Sequence, residues 1–192
     1  MKKILWLDIE AADYKIDREG AVHQISIIKD IDGEIVSKQN YYCSPHKGDL
    51  INAPSLEVCG KKYDDIIAYP PAIEAFKSIV NELHKDRIWV VGGFNLSYDI
   101  PVFTNWWYKC AKELKKWDIK WVDYIYADPL DVRALAIDYF LDRRGEYGSF
   151  KLTDVARAIG IEVDESKAHD AMYDIEVTRE IYYRIKNATP KK

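Results

Sequence analysis

The sequence is poor in cysteine and has no long apolar run. Its three cysteines, Cys43, Cys59 and Cys110, are odd in number and widely spaced, which argues against a disulfide framework and against a zinc site of paired cysteines. No segment approaches the roughly 20 apolar residues that span a bilayer, and the apolar run in MKKILWLDIE ends at Asp8 and Glu10, too early for a signal peptide. We therefore expect a soluble protein in a reducing, cytoplasmic setting, without a membrane partner.

An excess of positive charge, internal repeats and low-complexity segments are also missing. The formal net charge of −4 argues against a protein that coats nucleic acid through a broad basic surface. It is compatible with a nuclease, because acidic clusters can hold cations that the sequence count omits. With 48% of 192 residues hydrophobic, we predict one domain over residues 1–187 and a frayed tail at 188–192.

Hydrophobic patterns predict a cluster of strands followed by alternating strands and helices. An Asp32-Gly33 turn joins two of the strands into a hairpin. The predicted strands cover residues 4–9, 22–31, 34–43, 87–94 and 120–129, with a loop over 44–69. The predicted helices cover 72–85, a segment beginning near Ser97, 130–141, 151–160 and 169–186. This order indicates an α/β domain with a mixed sheet.

Two acidic residues end the first predicted strand. Asp8 and Glu10 are two positions apart, so their side chains leave the same face. Adjacent carboxylates repel each other unless a cation lies between them, which makes a metal site one interpretation. A strand end that emerges into solvent is the more common explanation of such an isolated pair.

A third acidic residue, Asp99 in GFNLSYD, follows a predicted buried parallel strand. In open α/β sheets, ligands bind beyond the carboxyl ends of such strands. Helix capping by Asn95, Ser97 or Asp99 explains this stretch equally well. Asn95 also has two interpretations, since it can cap a turn or hold a ligand group.

The stretch HDAMYD begins the last predicted helix. His169 lies on the loop that enters the helix and Asp174 lies one turn inside it, so both can face one crevice. Lone histidines are usually structural or exposed, and His169 differs only through its neighbours. Asp170 is interpreted as a helix-start residue, because caps and the helix dipole favour acidic side chains there.

Four carboxylates from three segments, with one histidine, suit metal-assisted hydrolysis of a phosphodiester. Mg²⁺ and Mn²⁺ prefer carboxylate oxygens and water. Two such ions roughly 3.5–4 Å apart can stabilise both the attacking and the leaving oxygen. An imidazole can take a proton from the attacking water near neutral pH.

The segments LDIE, GFNLSYD and HDAMYD, in this order, resemble the three motifs of the DEDD superfamily of 3'-5' exonucleases. They are similar to the DEDDh, or DnaQ-like, branch, whose third motif has a histidine five residues before the last aspartate. The resemblance implies an RNase H-like fold, a mixed five-stranded sheet flanked by helices. It implies His169 as the general base, and it implies two divalent ions, Mg²⁺ or Mn²⁺, held by Asp8, Glu10, Asp99 and Asp174.

The sequence departs from the family pattern at two places. The common D-x-E-T-T-G continuation is DIEAAD here, so we expect backbone groups of Ala11 and Ala12 to approach the 3'-terminal nucleotide. Asn95 is a further candidate contact. The chain also lacks the long C-terminal extension by which a proofreading subunit is expected to reach its polymerase. We therefore expect a free-standing or phage-type enzyme, although a polymerase partner stays open.

Two further features have open interpretations. Tryptophans and lysines interleave over 106–121, which can guide a single strand by stacking, but helical spacing favours core aromatics and solvated lysines. Asp131 occupies a place where the family often has an aspartate near the site, and capping of the next helix explains it as well.

We predict a metal-dependent 3'-5' exonuclease that releases nucleoside 5'-monophosphates from a single-stranded or frayed 3' end, with DNA favoured. One alternative is an exoribonuclease that trims RNA ends, because the contacts with the 2'-OH that separate RNA from DNA are not placed by the sequence. A second alternative is an inactive RNase H-like interaction module. Such a module is expected to lack a carboxylate or the histidine, and none is missing.

Overall fold

A computed structural model describes residues 1–13, 20–86, 88–146 and 149–188, so most of the predicted tail lies outside the described residues. The strands are β1 (Lys3–Ala11), β2 (Val22–Ile31), β3 (Glu34–Tyr42), β4 (Trp89–Gly93) and β5 (Ile125–Asp131). The helices are α1 (Ala53–Val58), α2 (Tyr63–Ile67), α3 (Ala72–Lys85), α4 (Leu96–Glu113), α5 (Val132–Tyr139), α6 (Leu152–Ala158) and α7 (Ala171–Asn187). Short 3₁₀ turns cover Trp121–Asp123, Leu141–Glu146 and Glu165–Lys167.

The five strands form one mixed sheet in the order β3-β2-β1-β4-β5. Strands β1, β2 and β3 pair antiparallel, while β4 pairs parallel with both β1 and β5. The hairpin turn has positive φ at Asp32 (53°) and Gly33 (95°), as a two-residue turn of this kind requires. The predicted hairpin and mixed α/β sheet are therefore confirmed.

Strand β1 separates two apolar layers. Leu5, Leu7 and Ile9 pack on one face with α3 and α4. Ile4 and Trp6 pack on the other face with the helices α5, α6 and α7. By the same alternation, the next side chains on the second face are acidic.

Gly93, at the end of β4, packs closely against both Leu96 at the start of α4 and the backbone of Leu7 on β1. A Cβ at Gly93 would lie 2.5 Å from Leu96 Cδ2 and 2.8 Å from the carbonyl oxygen of Leu7. Real Cβ atoms do not approach other atoms this closely, so the close packing depends on glycine. This contact brings the first turn of α4 to the carboxyl end of β1.

The structure corrects two predicted segments. The predicted loop over 44–69 contains α1 and α2, which are too short to show a helical period in the sequence. The strand predicted over 120–129 begins only at Ile125, because Trp121 turns into the core beside Phe103 in a 3₁₀ turn. The helix predicted near Ser97 begins at Leu96 and has Asn95, in the left-handed region, as its N-cap.

Within the described ranges, no helix has both the length and the apolar composition needed to cross a bilayer.

Candidate active site

The first two acidic residues share one face of β1, as predicted. Asp8 and Glu10 are partly exposed, whereas Ile9 between them is only 4% exposed and packs in the opposite layer. Both carboxylates lie near the carboxyl end of the strand and on the side covered by α7. They are therefore turned towards the start of the last helix.

Asp99 reaches the same place from the other side of the sheet. It lies in the first turn of α4, is only 5% exposed, and accepts a hydrogen bond from the backbone N–H of Ile9. Gly93, whose missing Cβ leaves room for Leu96, lies just before this first turn of α4. Asp99 is thus a buried carboxylate tied to the strand that carries Asp8 and Glu10.

The start of α7 supplies the third part of the site. Asp170 is its N-cap and accepts a hydrogen bond from the backbone N–H of Tyr173, which confirms Asp170 as a helix-start residue. His169 precedes it with a φ of 64° and donates its backbone N–H to Asp174 Oδ2 over 3.3 Å. The left-handed turn at His169 therefore keeps the histidine beside the carboxylate one turn into the helix.

A single cavity of about 810 Å³ brings these residues together, and we call it the carboxylate cavity. Its acidic and histidine lining residues are Asp8, Glu10, Asp99, His169 and Asp174. One ligand atom each from Glu10, His169 and Asp174 lies within 4.8 Å of the other two. A larger cavity of about 1150 Å³ lies at the opposite end of β1 and contains none of these five residues. The chemistry of the lining, and not the volume, identifies the site.

Burial raises the pKa of all four carboxyl groups, and neighbouring negative charges raise it further. Burial, followed by the charges of Asp99 and Glu10, raises the pKa of Asp8 well above its usual value. Burial is also the main cause that raises the pKa of Glu10 and of Asp99 to about 8 each, and that of Asp174 to about 6. Among the described residues, no lysine or arginine forms an ion pair with any of the four. Within the described part of the chain, the four carboxylates are therefore not neutralised by an ion pair.

This donor set fits hard divalent cations. Carboxylate oxygens are the ligands that Mg²⁺ and Mn²⁺ prefer, and a bound cation lowers the pKa of carboxyl groups that repel one another. The raised pKa values and the close approach of Glu10, His169 and Asp174 therefore fit a cation-binding cluster.

Several other residues around the cavity were not among the predicted site residues. Arg133 and Lys151 add positive charge to its lining, and Arg133 donates from Nη1 to Asn95 Oδ1 over 3.1 Å. Cys59, which follows α1, donates its thiol to Glu10 Oε2 over 3.1 Å. Burial and the Glu10 charge raise the pKa of this thiol, so it stays protonated as a donor. A lone basic residue or cysteine on a short helix has no pattern that marks it in advance.

A second cavity of about 480 Å³ adjoins the first at Ile9, Glu10, Val58, Tyr98 and His169. Its wall is mainly apolar and includes Ala11, Pro54 and Val58, so we call it the apolar cavity. The side chain of Tyr98 is fixed there by a hydrogen bond from its hydroxyl to the carbonyl of Asp13, 2.6 Å long. A flat apolar group can thus lie next to the carboxylates.

The predicted substrate-contact residues occupy different environments. Ala11 lines the apolar cavity and Asn95 lines the carboxylate cavity. Ala12 is fully buried, and its backbone N–H and carbonyl bond to Ala21 and Asn52. Of the two alanines, only Ala11 is thus placed at a cavity, because both backbone groups of Ala12 are used inside the protein.

Asp131 has the capping role that was one of its two interpretations. Its carboxylate accepts the backbone N–H of Arg133 at the start of α5 and those of Asn95 and Leu96 at the start of α4. Asp131 therefore joins the first turns of the helices that carry Asp99 and Arg133.

The tryptophan- and lysine-rich segment is mainly structural. Trp106, Trp107 and Trp121 are at most 7% exposed, and Lys109 pairs with Asp49. Trp117, at 61%, and Tyr108, at 43%, are exposed. Core packing, the interpretation that helical spacing favoured, thus accounts for most of the aromatic residues.

Comparisons with known structures identify the fold. The zinc-bound complex of E. coli exonuclease I with single-stranded DNA matches with 19% sequence identity and a TM-score of 0.79, over 100% of this chain and 42% of its own. The complex of E. coli exonuclease I with a dA16 oligonucleotide matches with 19% identity and a TM-score of 0.76, over 99% of this chain and 42% of its own. The chain thus spans about two fifths of the length of these proteins. At this identity the similarity establishes the fold, which confirms the expected RNase H-like architecture.

Sequence comparison identifies the family. No curated protein matches the sequence significantly. A sequence model of the RNase T family, described as an exonuclease, matches residues 5–182, which include all three acidic segments and the histidine. The chain therefore belongs to the RNase T family of exonucleases.

Proposed function

We propose that this domain is a 3'-5' exonuclease that removes nucleoside 5'-monophosphates from a single-stranded or frayed 3' end, with DNA favoured over RNA. The observation that carries the proposal is the convergence of Asp8, Glu10, Asp99, Asp174 and His169 on one cavity. The 3'-5' polarity is carried over from the DEDDh motifs. The preference for DNA is supported by the single-stranded DNA complexes of exonuclease I, which shares the fold.

The four carboxylates would hold two divalent ions, Mg²⁺ or Mn²⁺. When bound, these ions supply an acidified water and positive charge at the scissile phosphate. Asp8, Glu10 and Asp174 face the cavity from β1 and α7, while the buried Asp99 holds the side nearer α4. The buried Asp99 is the most shielded from water of the four, so its charge would act most strongly at the reacting centre.

His169 is the proposed general base. It is exposed at the cavity rim, where an attacking water can reach its imidazole. Its backbone hydrogen bond to Asp174 holds it next to the carboxylates. Removing a general base of this kind is expected to reduce turnover by about 10²–10⁴-fold.

The apolar cavity is the proposed seat of the terminal base. Pro54, Val58 and Ala11 offer an apolar wall beside Glu10, and Tyr98 adds an aromatic ring. Base stacking on such a surface needs an unpaired nucleotide, which fits a single-stranded or frayed end. Arg133 and Lys151 line the carboxylate cavity where the phosphates of the strand would follow.

We also propose that residues 1–187 act as one domain in a reducing, cytoplasmic setting. Both helical layers pack on the same sheet. Cys43, Cys59 and Cys110 are all free thiols, as a reducing compartment would leave them.

Digestion of labelled oligonucleotides tests the function. Single-stranded DNA with a 5' label should give a ladder that shortens from the 3' end, and the same DNA with a 3' label should release only mononucleotide. Chelator and His169→Ala should each suppress both products, while Asp64→Asn, which changes an exposed carboxylate on α2 that does not line the cavity, should not.

The same experiment with RNA separates the alternatives. Faster shortening of RNA than of DNA would identify an exoribonuclease. Shortening from the 5' end, or a ladder that persists in chelator, would contradict the proposal. A wild-type protein without activity on either substrate would favour the interaction module.

A further inference from the structure

Cys59 makes a specific contact with the carboxylate cavity. It is the C-cap residue that follows α1, and its backbone N–H bonds to the carbonyls of Ser55 and Glu57. Its thiol donates to Glu10 Oε2 over 3.1 Å, across 49 residues of sequence. The residue that follows α1 is thus hydrogen-bonded to the side chain of Glu10 on β1.

This thiol differs from the other donors at the cluster. Asp99 and Asp174 accept hydrogen bonds from the backbone groups of Ile9 and His169. Within the described ranges, Cys59 provides the one hydrogen bond from a side chain to any of the four carboxylates. Cys59 is half-buried and lines the apolar cavity together with Glu10 and His169.

We propose that Cys59 is a positioning residue for Glu10: its thiol holds Oε2 of the carboxylate and thereby aims Oε1 at a divalent ion. The inference rests on the proposed function, because it assigns Glu10 as a ligand. Hydrogen bonds that orient a ligating carboxylate typically raise metal affinity 10–100-fold.

A neutral donor suits this role better than a charged one. A lysine or arginine at this position would repel the ions that the carboxylates collect. The thiol orients Glu10 without adding positive charge. Sulfur also does not compete with carboxylates for hard cations, which prefer oxygen.

Calorimetric titration of Mn²⁺ into the full chain, without nucleic acid, tests the inference. Cys59→Ala and the near-isosteric Cys59→Val both lack the donor, and Cys59→Ser keeps it. We expect the Mn²⁺ dissociation constant to rise about tenfold in the Ala and Val variants and to stay within about threefold of wild type in the Ser variant. Use of two variants without the donor guards against a folding defect in either one, which thermal unfolding without metal would reveal.

Activity at varied Mn²⁺ provides a second readout. The Ala and Val variants should need about tenfold more Mn²⁺ for half-maximal cleavage, while kcat at saturating Mn²⁺ stays within about threefold of wild type. Equal Mn²⁺ affinity in all four proteins, or equal loss in the Ser, Ala and Val variants, would overturn the inference. A wild type that binds Mn²⁺ but cleaves nothing would sink the proposed function and leave the role of Cys59 testable by calorimetry alone.

Discussion

Each carboxylate in the cavity is destabilising on its own, because folding buries it beside other negative charges. Asp8 shows this most clearly, since Asp99, Glu10 and Asp174 all raise its pKa. Carboxyl groups with raised pKa values are typical of functional sites. A bound cation offsets the repulsion between them. Replacing one of these carboxylates with a neutral side chain should therefore increase the stability of the metal-free protein and decrease its activity.

Asp8→Asn should stabilise the metal-free protein and abolish cleavage. Removal of one repelling charge is expected to raise Tm by about 3 °C or more, since 1 kcal/mol corresponds to ~2–4 °C in a chain of this size. Loss of a metal ligand should lower turnover at least about 10³-fold. Scanning calorimetry and the oligonucleotide assay measure the two effects. A variant that melts lower than wild type without metal would show that Asp8 is held by favourable contacts instead.

His23 gives a prediction independent of the site. It is fully buried on β2, neither ring nitrogen has a hydrogen-bond partner among the described residues, and burial lowers its pKa to about 4. Between pH 6.5 and 4 the unfolded chain binds the proton and the folded chain does not, so this residue costs stability as the pH falls. His23→Leu should therefore raise Tm, and by more at pH 5 than at pH 8. An increase that is equal at both pH values would contradict a buried neutral imidazole.

At the scale of elements, the site depends on how closely α4 approaches β1. Gly93→Ala would place a methyl group 2.8 Å from the Leu7 carbonyl oxygen, which belongs to the backbone and cannot turn away. Overpacking of this kind costs about 1–3 kcal/mol. We expect a lower Tm together with weaker Mn²⁺ binding, because Asp99 moves with the helix.

Gly145→Ala is the matched control for this change, since nothing lies within 4 Å of a Cβ at that position. Thermal unfolding and Mn²⁺ titration measure the Tm and the Mn²⁺ affinity of both variants, and only Gly93→Ala should lower them. Equal behaviour of the two alanine variants would show that the start of α4 has room to adjust.

The elements that the sequence predicted are those with a repeated pattern. Helix α3 carries apolar residues at helical spacing and was predicted with its bounds, 72–85. Asp8 and Glu10 were placed on one face by the two-residue period of a strand, and the family motifs then linked them to Asp99 and Asp174. The helices α1 and α2, of six and five residues, are too short to show a period. Cys59 was missed with α1, because its role comes from the three-dimensional contact with Glu10.

At the scale of the whole molecule, the carboxylate cavity sets the pH dependence of stability. The pKa values of Glu10 and Asp99, both raised to about 8, and of Asp174, raised to about 6, exceed those of ordinary carboxyl groups near 4. Between about pH 4 and pH 8 these carboxyl groups bind more protons in the folded protein than in the unfolded chain. Their contribution to the free energy of unfolding therefore falls as the pH rises.

The lowered pKa of His23 makes stability rise with pH, which opposes the effect of the carboxyl groups, so the measurement is made on the His23→Leu variant. Without metal, this variant should have a lower Tm at pH 8 than at pH 6. Mn²⁺ should raise Tm more at pH 8 than at pH 6, because fewer protons then compete for the carboxylates. Melting curves at both pH values, with Mn²⁺ and with chelator, measure this. A Mn²⁺ effect that is larger at pH 6 would contradict a site of buried carboxylates.

The most direct test of the central claim is an anomalous difference map from crystals of the protein soaked in Mn²⁺. The account predicts two peaks in the carboxylate cavity, roughly 3.5–4 Å apart, within ligand distance of Asp8, Glu10, Asp99 and Asp174. An empty cavity at saturating Mn²⁺, or peaks bound only elsewhere on the surface, would contradict it.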